Sequence, residues 1–165
     1  MTRIEEQIIL HEGLRTMPYQ DTEGYWTVGV GYNLSSRGLE QLSDYIKRTP
    51  CLRSPSQTLP FDGLVISEAE AHTILRADLE RIEKVVRLAL PEYDALGDVR
   101  QRVILDMAFN MGRRLLQFRL AISALKRSDW SRCARELHRS RWATQVKGRA
   151  DRLATMMLTG VDYVV

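Results

Sequence analysis

Cysteine, histidine and long apolar runs are all scarce in this 165-residue sequence. The two cysteines, Cys51 and Cys133, lie far apart and form neither a CxxC pair nor a zinc-binding spacing, so two free thiols are expected. Free thiols are typical of proteins that fold in a reducing compartment. The apolar run from Ile8 to Leu10 is too short for the core of a signal peptide, and no stretch approaches the ~20 apolar residues of a membrane span. We therefore expect synthesis in the cytoplasm and no stable insertion into a membrane.

The three histidines, His11, His72 and His138, show no HExxH or other metal-ligand spacing. Surface histidines, or histidines satisfied within the fold, are the simpler interpretation, and neither a metal ion nor another cofactor is expected. The sequence also contains no helix-turn-helix signature, RNP motif or zinc-finger pattern. It therefore gives little support to nucleic acid as a partner.

Charged residues, in contrast, are abundant and unevenly distributed. The formal net charge is +3, yet the residues from 100 onward include 14 Lys and Arg against 5 Asp and Glu. Residues 1–99 include 10 basic and 16 acidic side chains. A basic half of this kind favours an anionic polymer or surface as a partner, although solvated helix faces would produce the same counts.

The first part of the chain predicts a helix followed by a small β segment. Thr2 and Glu5 have capping-box spacing, and the apolar residues behind them recur at helical intervals until about residue 13. From Pro18 to Leu34, aromatic and β-branched residues alternate with glycines, which is typical of strands and tight turns. A short helix over 35–48 and a proline-containing loop over 49–66 are expected next.

The remainder of the chain has a helical pattern. Ser67 and Glu70 form a second capping box, which opens a helix that continues to Pro91. Four further helices are expected, over Val99–Asn110, Leu115–Arg127, Trp130–Arg141 and Gly148–Leu158. The predicted fold class is α+β, with three parts: an N-terminal lobe over 1–66 that contains a short antiparallel sheet, a connecting helix over 67–90 and a helical lobe over 91–165.

Two carboxylates in the N-terminal lobe differ in their predicted settings. Glu12 lies at the end of the first helix, where burial would favour the protonated carboxyl group. Asp21 begins a turn in the β segment, where exposure would keep it ionised. A protonated acid paired with an ionised one is the arrangement that glycoside hydrolysis requires. From the spacing alone, two surface acids are the simpler explanation.

A longer pattern surrounds these two acids. It comprises His11-Glu12-Gly13-Leu14-Arg15 and the run from Tyr19 to Gly31, followed downstream by Phe109-Asn110-Met111-Gly112, Ser140-Arg141-Trp142 and Gly148-Arg149-Ala150. Together these motifs resemble the phage-type lysozymes, the family of T-even bacteriophage lysozymes. The resemblance extends from Ile4 to Gly160, whereas residues 38–66 fit poorly and form a longer segment than is usual there.

The resemblance implies roles for the residues that match. Glu12 corresponds to the family's general acid and Asp21 to its second carboxylate. Thr27 corresponds to the threonine that, with Asp21, holds the attacking water. Arg149 corresponds to the arginine that reaches from the helical lobe to the catalytic glutamate.

Further positions are implied to contact the substrate. Phe109 and Asn110 correspond to residues that line the saccharide cleft, and Arg149 is expected to contribute to binding as well. Tyr32 stands where many members of the family have histidine, and Asn33 stands where an apolar residue is common. We include Asn33 among the expected substrate-binding residues because it would alter how a sugar packs at the cleft floor.

The resemblance also implies a lysozyme-like fold and a chemistry. Members of the family hydrolyse the β-1,4 bond between N-acetylmuramic acid and N-acetylglucosamine in bacterial peptidoglycan, with inversion at the anomeric carbon, and thereby lyse the cell. Inversion predicts carboxyl groups about 6.5–9.5 Å apart, which leaves room for a water molecule. We expect a monomer whose partner is peptidoglycan, held in the cytoplasm of the producing bacterial cell until it is released to act on the wall.

Three other functions stay open at this point. A lytic transglycosylase would use one glutamate and no water, so Asp21 and Thr27 argue against it. A non-catalytic peptidoglycan-binding module would use the basic half to hold the polymer. A basic helical protein that binds nucleic acid is the third, and arginine-rich helices are weak support for it.

Overall fold

A computed structural model describes residues 1–53 and 60–163 of the chain, so residues 54–59 of the predicted 49–66 loop lie outside the described part. The chain divides into two compact units, Met1–Glu80 and Arg81–Val165. The first unit contains a three-stranded antiparallel sheet and helices, and the second contains helices. This architecture confirms the predicted α+β class.

Helix α1, Arg3–Glu12, opens the first unit through the predicted capping box. Thr2 Oγ1 accepts a hydrogen bond from the Glu5 backbone N–H at 3.4 Å, and Glu5 Oε2 accepts one from the Thr2 N–H at 3.3 Å. Glu5 is only 2% exposed and also binds Arg76 at 2.9 Å. Desolvation raises the pKa of Glu5, but the hydrogen bonds from Arg76 and the Thr2 backbone outweigh it and leave the pKa lowered.

The sheet has the strand order β1-β2-β3, with β1 at Arg15–Gln20, β2 at Trp26–Gly29 and β3 at Tyr32–Asn33. The sequence predicts that the β segment starts at Pro18. Strand β1 begins earlier, at Arg15. The pairing of β1 with β2 is irregular between Arg15 and Tyr19. Proline cannot donate a ladder hydrogen bond and is tolerated at an edge strand or bulge, which explains why β1 accommodates Pro18.

Helix α2, Leu34–Ile46, follows β3 directly, because Asn33 Oδ1 accepts a hydrogen bond from the Ser36 N–H at 2.9 Å and caps the helix. Gly38, at φ 74°, kinks the helix near its start. The Tyr32 hydroxyl donates to the Gly38 carbonyl at 3.0 Å, so the kink is tied to the sheet.

Helix α3, Glu68–Ala89, begins at the second predicted capping box, which the structure confirms. Ser67 Oγ accepts from the Glu70 N–H at 3.1 Å, and Glu70 Oε2 accepts from the Ser67 N–H at 2.7 Å. A hydrogen-bonded ion pair with Arg48 at 2.6 Å lowers the pKa of Glu70 to about 2. The start of the helix is therefore fixed by a carboxylate that stays ionised down to low pH.

The core of the first unit lies between the sheet and α2 and α3. Its buried apolar residues are Val28, Tyr32, Leu34, Leu42, Ile46, Leu64, Ile66, Ala71 and Ile74. Beside this core, Arg37 donates to both carboxylate oxygens of Asp78, at 2.5 and 2.7 Å, and its guanidinium lies 4.2 Å from the centre of the Tyr32 ring. Because Asp78 is 4% exposed, this bidentate pair satisfies a charge that would otherwise be buried alone.

The second unit is built around one central helix. After a 3-10 turn at Tyr93–Ala95 come α4 at Asp98–Met111, a 3-10 helix at Gly112–Gln117, α5 at Arg119–Leu125, α6 at Trp130–His138, α7 at Arg141–Val146 and α8 at Gly148–Thr159. In α4, the seven consecutive residues from Arg102 to Ala108 are buried. A helix buried on all sides in this way is the core element of its unit. Trp142 is 7% exposed and belongs to the same core.

Two of the predicted C-terminal helices were wrong in their extent. The predicted helix Leu115–Arg127 begins as a 3-10 helix and becomes α-helical at Arg119. The predicted helix Trp130–Arg141 ends at His138, and a separate short helix follows it. Ser140 causes this break, because its hydroxyl accepts from the Ala143 N–H at 3.1 Å and starts a new helix.

Candidate active site

The turn between β1 and β2 holds Asp21 in a fixed orientation. Asp21 Oδ1 accepts hydrogen bonds from the backbone N–H groups of Glu23 and Tyr25, each at 2.9 Å. The backbone closes the same turn, since the Asp21 N–H donates to the Tyr25 carbonyl at 2.9 Å and the Gly24 N–H donates to the Asp21 carbonyl at 3.0 Å. Asp21 is half-buried, and neither side-chain bond uses Oδ2.

Thr27 lies on β2 immediately behind this turn. It is 4% exposed and pairs with Tyr19 across the sheet. Its hydroxyl donates to the Tyr25 carbonyl at 3.2 Å. The backbone of Tyr25 therefore connects the two side chains, because its N–H binds Asp21 and its carbonyl binds Thr27. A hydroxyl that donates one hydrogen bond still has lone pairs with which to accept another.

Glu12 is the last residue of α1 and is half-buried. Gly13 ends the helix with its N–H bonded to the Ile9 carbonyl at 2.8 Å, and its φ of 75° turns the chain into β1. Such a positive φ is accessible to glycine with little strain. Glu12 therefore stands at the junction between the helix and the first strand of the sheet.

Tyr19 links Glu12 and Asp21 electrostatically. Burial raises the pKa of the Tyr19 phenol, and the negative charges of Glu12 and Asp21 raise it further, against the opposing effect of Arg15. The Arg15 guanidinium lies 4.2 Å from the centre of the Tyr19 ring. Asp21 and Thr27 are joined through the Tyr25 backbone, and Glu12 ends the helix that leads into β1. The predicted catalytic roles of the three side chains stay predictions.

Asn33 pairs with Thr27 across the sheet, beside this group. Its Oδ1 is engaged in the cap of α2, which gives it a structural role that the sequence analysis did not identify. The cap does not use the Nδ2 donor. The predicted contact between Asn33 and the substrate stays a prediction.

Arg149 lies at the start of α8 in the second unit and is 7% exposed. Its Nε donates to Asp106 Oδ1 at 2.8 Å, and a second guanidinium nitrogen donates to the Asp106 carbonyl at 3.4 Å. Asp106 itself is completely buried. The predicted approach of Arg149 to Glu12 stays a prediction, and the observed pairing with Asp106 was missed by the sequence analysis. Asp106 is an acid within the otherwise apolar run Val103 to Phe109, and a buried acid needs a partner. This position is the signal that could have revealed the pairing.

Phe109 and Asn110, near the end of α4, are both half-buried. Asn110 Oδ1 accepts a hydrogen bond from the indole Nε1 of Trp142 at 2.9 Å. Asn110 and Trp142 also line a cavity of about 500 Å³ within the second unit. The amide of Asn110 is thus held in place by the core while it borders open space.

Within residues 1–53 and 60–163, no group of three His, Cys, Asp or Glu side chains is arranged to hold a metal ion. Over the same residues, no helix is both long and apolar enough to cross a membrane.

Comparison with known proteins identifies the wider relationship. The family model for phage lysozyme matches residues 10–156. The chain belongs to the phage lysozyme family. The predicted resemblance to the phage-type lysozymes is thereby confirmed, and membership of the family indicates a glycosidase.

Similar proteins occur in Dictyostelium discoideum and in Enterobacteria phage T4. The probable T4-type lysozyme 1 of Dictyostelium discoideum is 26% identical over 97% of this chain and 96% of that protein. The probable T4-type lysozyme 2 of the same organism is 25% identical, with the same shares of the two chains covered. The pre-baseplate central spike protein of Enterobacteria phage T4 is 29% identical over 94% of this chain, but the match covers 27% of the spike protein.

The buried pair of Arg149 and Asp106 leads to a stability prediction. Asp106→Ala leaves the buried guanidinium without its carboxylate, so we expect the free energy of unfolding to fall by about 3–5 kcal/mol. Urea denaturation followed by circular dichroism measures the change. The matched control is Asp151→Ala on α8, whose side chain is 64% exposed and which should change stability by less than about 1 kcal/mol. Equal losses in the two variants would contradict a dominant role for the buried pair.

Proposed function

We propose that the protein is a muramidase that hydrolyses the β-1,4 bond between N-acetylmuramic acid and N-acetylglucosamine in bacterial peptidoglycan, causing lysis. The observation that supports this proposal is the β1–β2 hairpin, in which the Tyr25 backbone binds both Asp21 and Thr27. Glu12 ends α1, directly before Gly13 turns the chain into the first strand of the same hairpin. In a member of the phage lysozyme family, these are the residue types that the reaction requires.

The proposed mechanism assigns one task to each side chain. Glu12 gives its proton to the glycosidic oxygen as the bond from that oxygen to the anomeric carbon breaks. A water molecule attacks the anomeric carbon from the opposite face, and Asp21 accepts the proton that this water loses. Thr27 accepts a hydrogen bond from the same water, because its own proton is directed to the Tyr25 carbonyl. Attack from the opposite face inverts the configuration.

The remaining predicted residues would contact the saccharide away from the bond that breaks. Asn110 is suited to this role because its Oδ1 accepts from Trp142, which orients the Nδ2 group as a donor for a sugar oxygen. Arg149 is held in place by Asp106, and its predicted contact with substrate belongs to the same proposal. Phe109 and Asn33 complete the proposed set.

The linked Asp21 and Thr27 favour hydrolysis over the competing functions. A lytic transglycosylase releases an anhydro sugar without water and has no use for a residue that positions water. A non-catalytic binding module has no need for a catalytic pair of carboxylates. The Tyr25 backbone binds both Asp21 and Thr27, which orients the two side chains proposed to hold water and supports hydrolysis.

Conservative substitutions of the two carboxylates test the proposal. Glu12→Gln removes the proton donor and Asp21→Asn removes the base, so each should slow the clearing of bacterial wall suspensions by about 10²–10⁴-fold. The matched controls are Glu6→Gln, exposed on α1, and Glu23→Gln, exposed in the same turn as Asp21. Both controls should clear the suspension at rates close to that of the unmodified protein. Near-normal clearing by Glu12→Gln or Asp21→Asn would reject the proposed roles.

The configuration of the product tests the position of the water. With a soluble oligosaccharide substrate, proton NMR recorded in the first minutes should detect the α-anomer at the new reducing end, because water attacks opposite a β-linked leaving group. The β-anomer should then accumulate through mutarotation. Early appearance of the β-anomer would instead indicate retention and a nucleophilic role for Asp21.

A further inference from the structure

The three strands of the sheet place Tyr19, Thr27 and Asn33 in one row. Tyr19 pairs with Thr27 across β1 and β2, and Thr27 pairs with Asn33 across β2 and β3. Residues directly opposite each other on antiparallel strands point to the same face, with Cβ atoms about 4.5–5.5 Å apart. Tyr19 therefore flanks Thr27 on one side and Asn33 flanks it on the other. The proposed mechanism gives Thr27 a task and leaves Tyr19 without one.

The hydroxyl of Tyr19 differs from those of the other tyrosines that are withdrawn from solvent. Tyr32, Tyr45 and Tyr93 are buried or half-buried, and each of their hydroxyls takes part in a hydrogen bond of 3.0–3.2 Å. Tyr19 is half-buried as well, but within residues 1–53 and 60–163 its hydroxyl has no hydrogen-bond partner. A phenol in such a position normally has one. The Tyr19 hydroxyl is therefore suited to a partner that the substrate supplies.

Arg15 covers one face of the Tyr19 ring. Its guanidinium carbon lies 4.2 Å from the ring centre, so this face is closed to a stacked sugar and the ring is held in place. Burial raises the pKa of the phenol, and the charges of Glu12 and Asp21 raise it further against the opposing effect of Arg15. The phenol therefore keeps its proton at neutral pH and presents a hydrogen-bond donor.

The substrate of the proposed reaction carries an acceptor that matches this donor. N-acetylmuramic acid and N-acetylglucosamine both have an acetamido group on C2, the carbon next to the anomeric carbon. The carbonyl oxygen of an amide accepts hydrogen bonds and cannot donate them. In the proposed mechanism Thr27 holds water at the anomeric carbon, so its neighbour in the row, Tyr19, is within reach of the substituent on the adjacent carbon.

We propose that Tyr19 is a specificity-determining residue, whose hydroxyl donates a hydrogen bond to the acetamido carbonyl oxygen of the sugar that is attacked at its anomeric carbon. The inference rests on the proposed function and adds to it the recognition of the N-acetyl group. The reaction leaves this group unchanged, so the contact stabilises the bound substrate and the transition state alike. Its loss should raise KM and leave kcat close to that of the unmodified protein.

Calorimetric binding to the complete protein tests the proposal, with Glu12→Gln present to prevent turnover. The ligands are a soluble peptidoglycan oligosaccharide and the same oligosaccharide with its N-acetyl groups removed. Adding Tyr19→Phe should weaken binding of the acetylated ligand about five- to tenfold, as expected for one neutral hydrogen bond, and binding of the deacetylated ligand by less than about twofold. Comparing the two ratios cancels any general effect of the substitution. The control Tyr163→Phe, at an exposed tyrosine of the second unit, should change neither affinity.

Equal losses of affinity for the two ligands would overturn the proposal, because a purely structural role of the ring is indifferent to the acetyl group. Steady-state kinetics of Tyr19→Phe, in a protein that retains Glu12, supply the second readout. A fall in kcat at unchanged KM would also overturn the proposal, since it would assign the hydroxyl to the attacking water. Absence of hydrolysis by the unmodified protein, combined with the expected difference in binding, would reject the proposed hydrolysis and support the recognition of the acetyl group, so the two failures are distinguishable.

Discussion

The two hydrogen bonds that Asp21 Oδ1 accepts from the Glu23 and Tyr25 backbones fix the turn around which the candidate site is built. The same turn sets the register of β1 on β2, and the register places Thr27 behind Asp21. Because the Tyr25 carbonyl then accepts from Thr27, one peptide unit orients both groups that are proposed to hold water. Loss of the Asp21 side chain would therefore disturb the geometry of the hairpin as well as its charge.

In both units, each buried acidic or basic side chain of the described residues is held by a partner of opposite charge. Arg37 with Asp78, Arg76 with Glu5 and Arg149 with Asp106 are all close ion pairs with at least one buried member. Removing one member of such a pair costs more than the pair contributes, because a charge stays behind in a medium of low polarity. The arginines that line the cavity beside Asn110 and Trp142 are exposed instead, and they account for part of the basic excess of the C-terminal half.

Sequence reasoning located the features that depend on neighbouring residues. The capping boxes at Thr2 and Ser67 were identified because both partners lie within four positions of each other. Glu12, Asp21 and Thr27 were singled out for a similar reason, since they fall within one contiguous motif whose order resembles a known family. Local sequence patterns of this kind predict the structure correctly where tertiary contacts do not override them.

Features that depend on distant residues were not predictable in the same way. The partner of Arg149 is 43 residues away in sequence. Asp106 stands out as an acid in an apolar run, but nothing in the spacing identifies Arg149 as the residue that pairs with it. The break before Arg119 also has no strong local signal, because the sequence from Leu115 is compatible with a continuous helix. Ser140 is a residue type that favours a helix N-cap, but the helical periodicity of its neighbours favours a single helix continuing to Arg141. Packing in the unit, rather than propensity, decides such boundaries.

Attack by water on the anomeric carbon is the step that distinguishes the proposed chemistry most directly. Purified peptidoglycan would be digested in heavy-oxygen water and the soluble fragments analysed by mass spectrometry. We expect each new N-acetylmuramic acid reducing end to carry one heavy oxygen atom, because the oxygen of the attacking water stays on the anomeric carbon. Fragments that end in unlabelled anhydro-muramic acid would contradict hydrolysis, since such ends form without the entry of water.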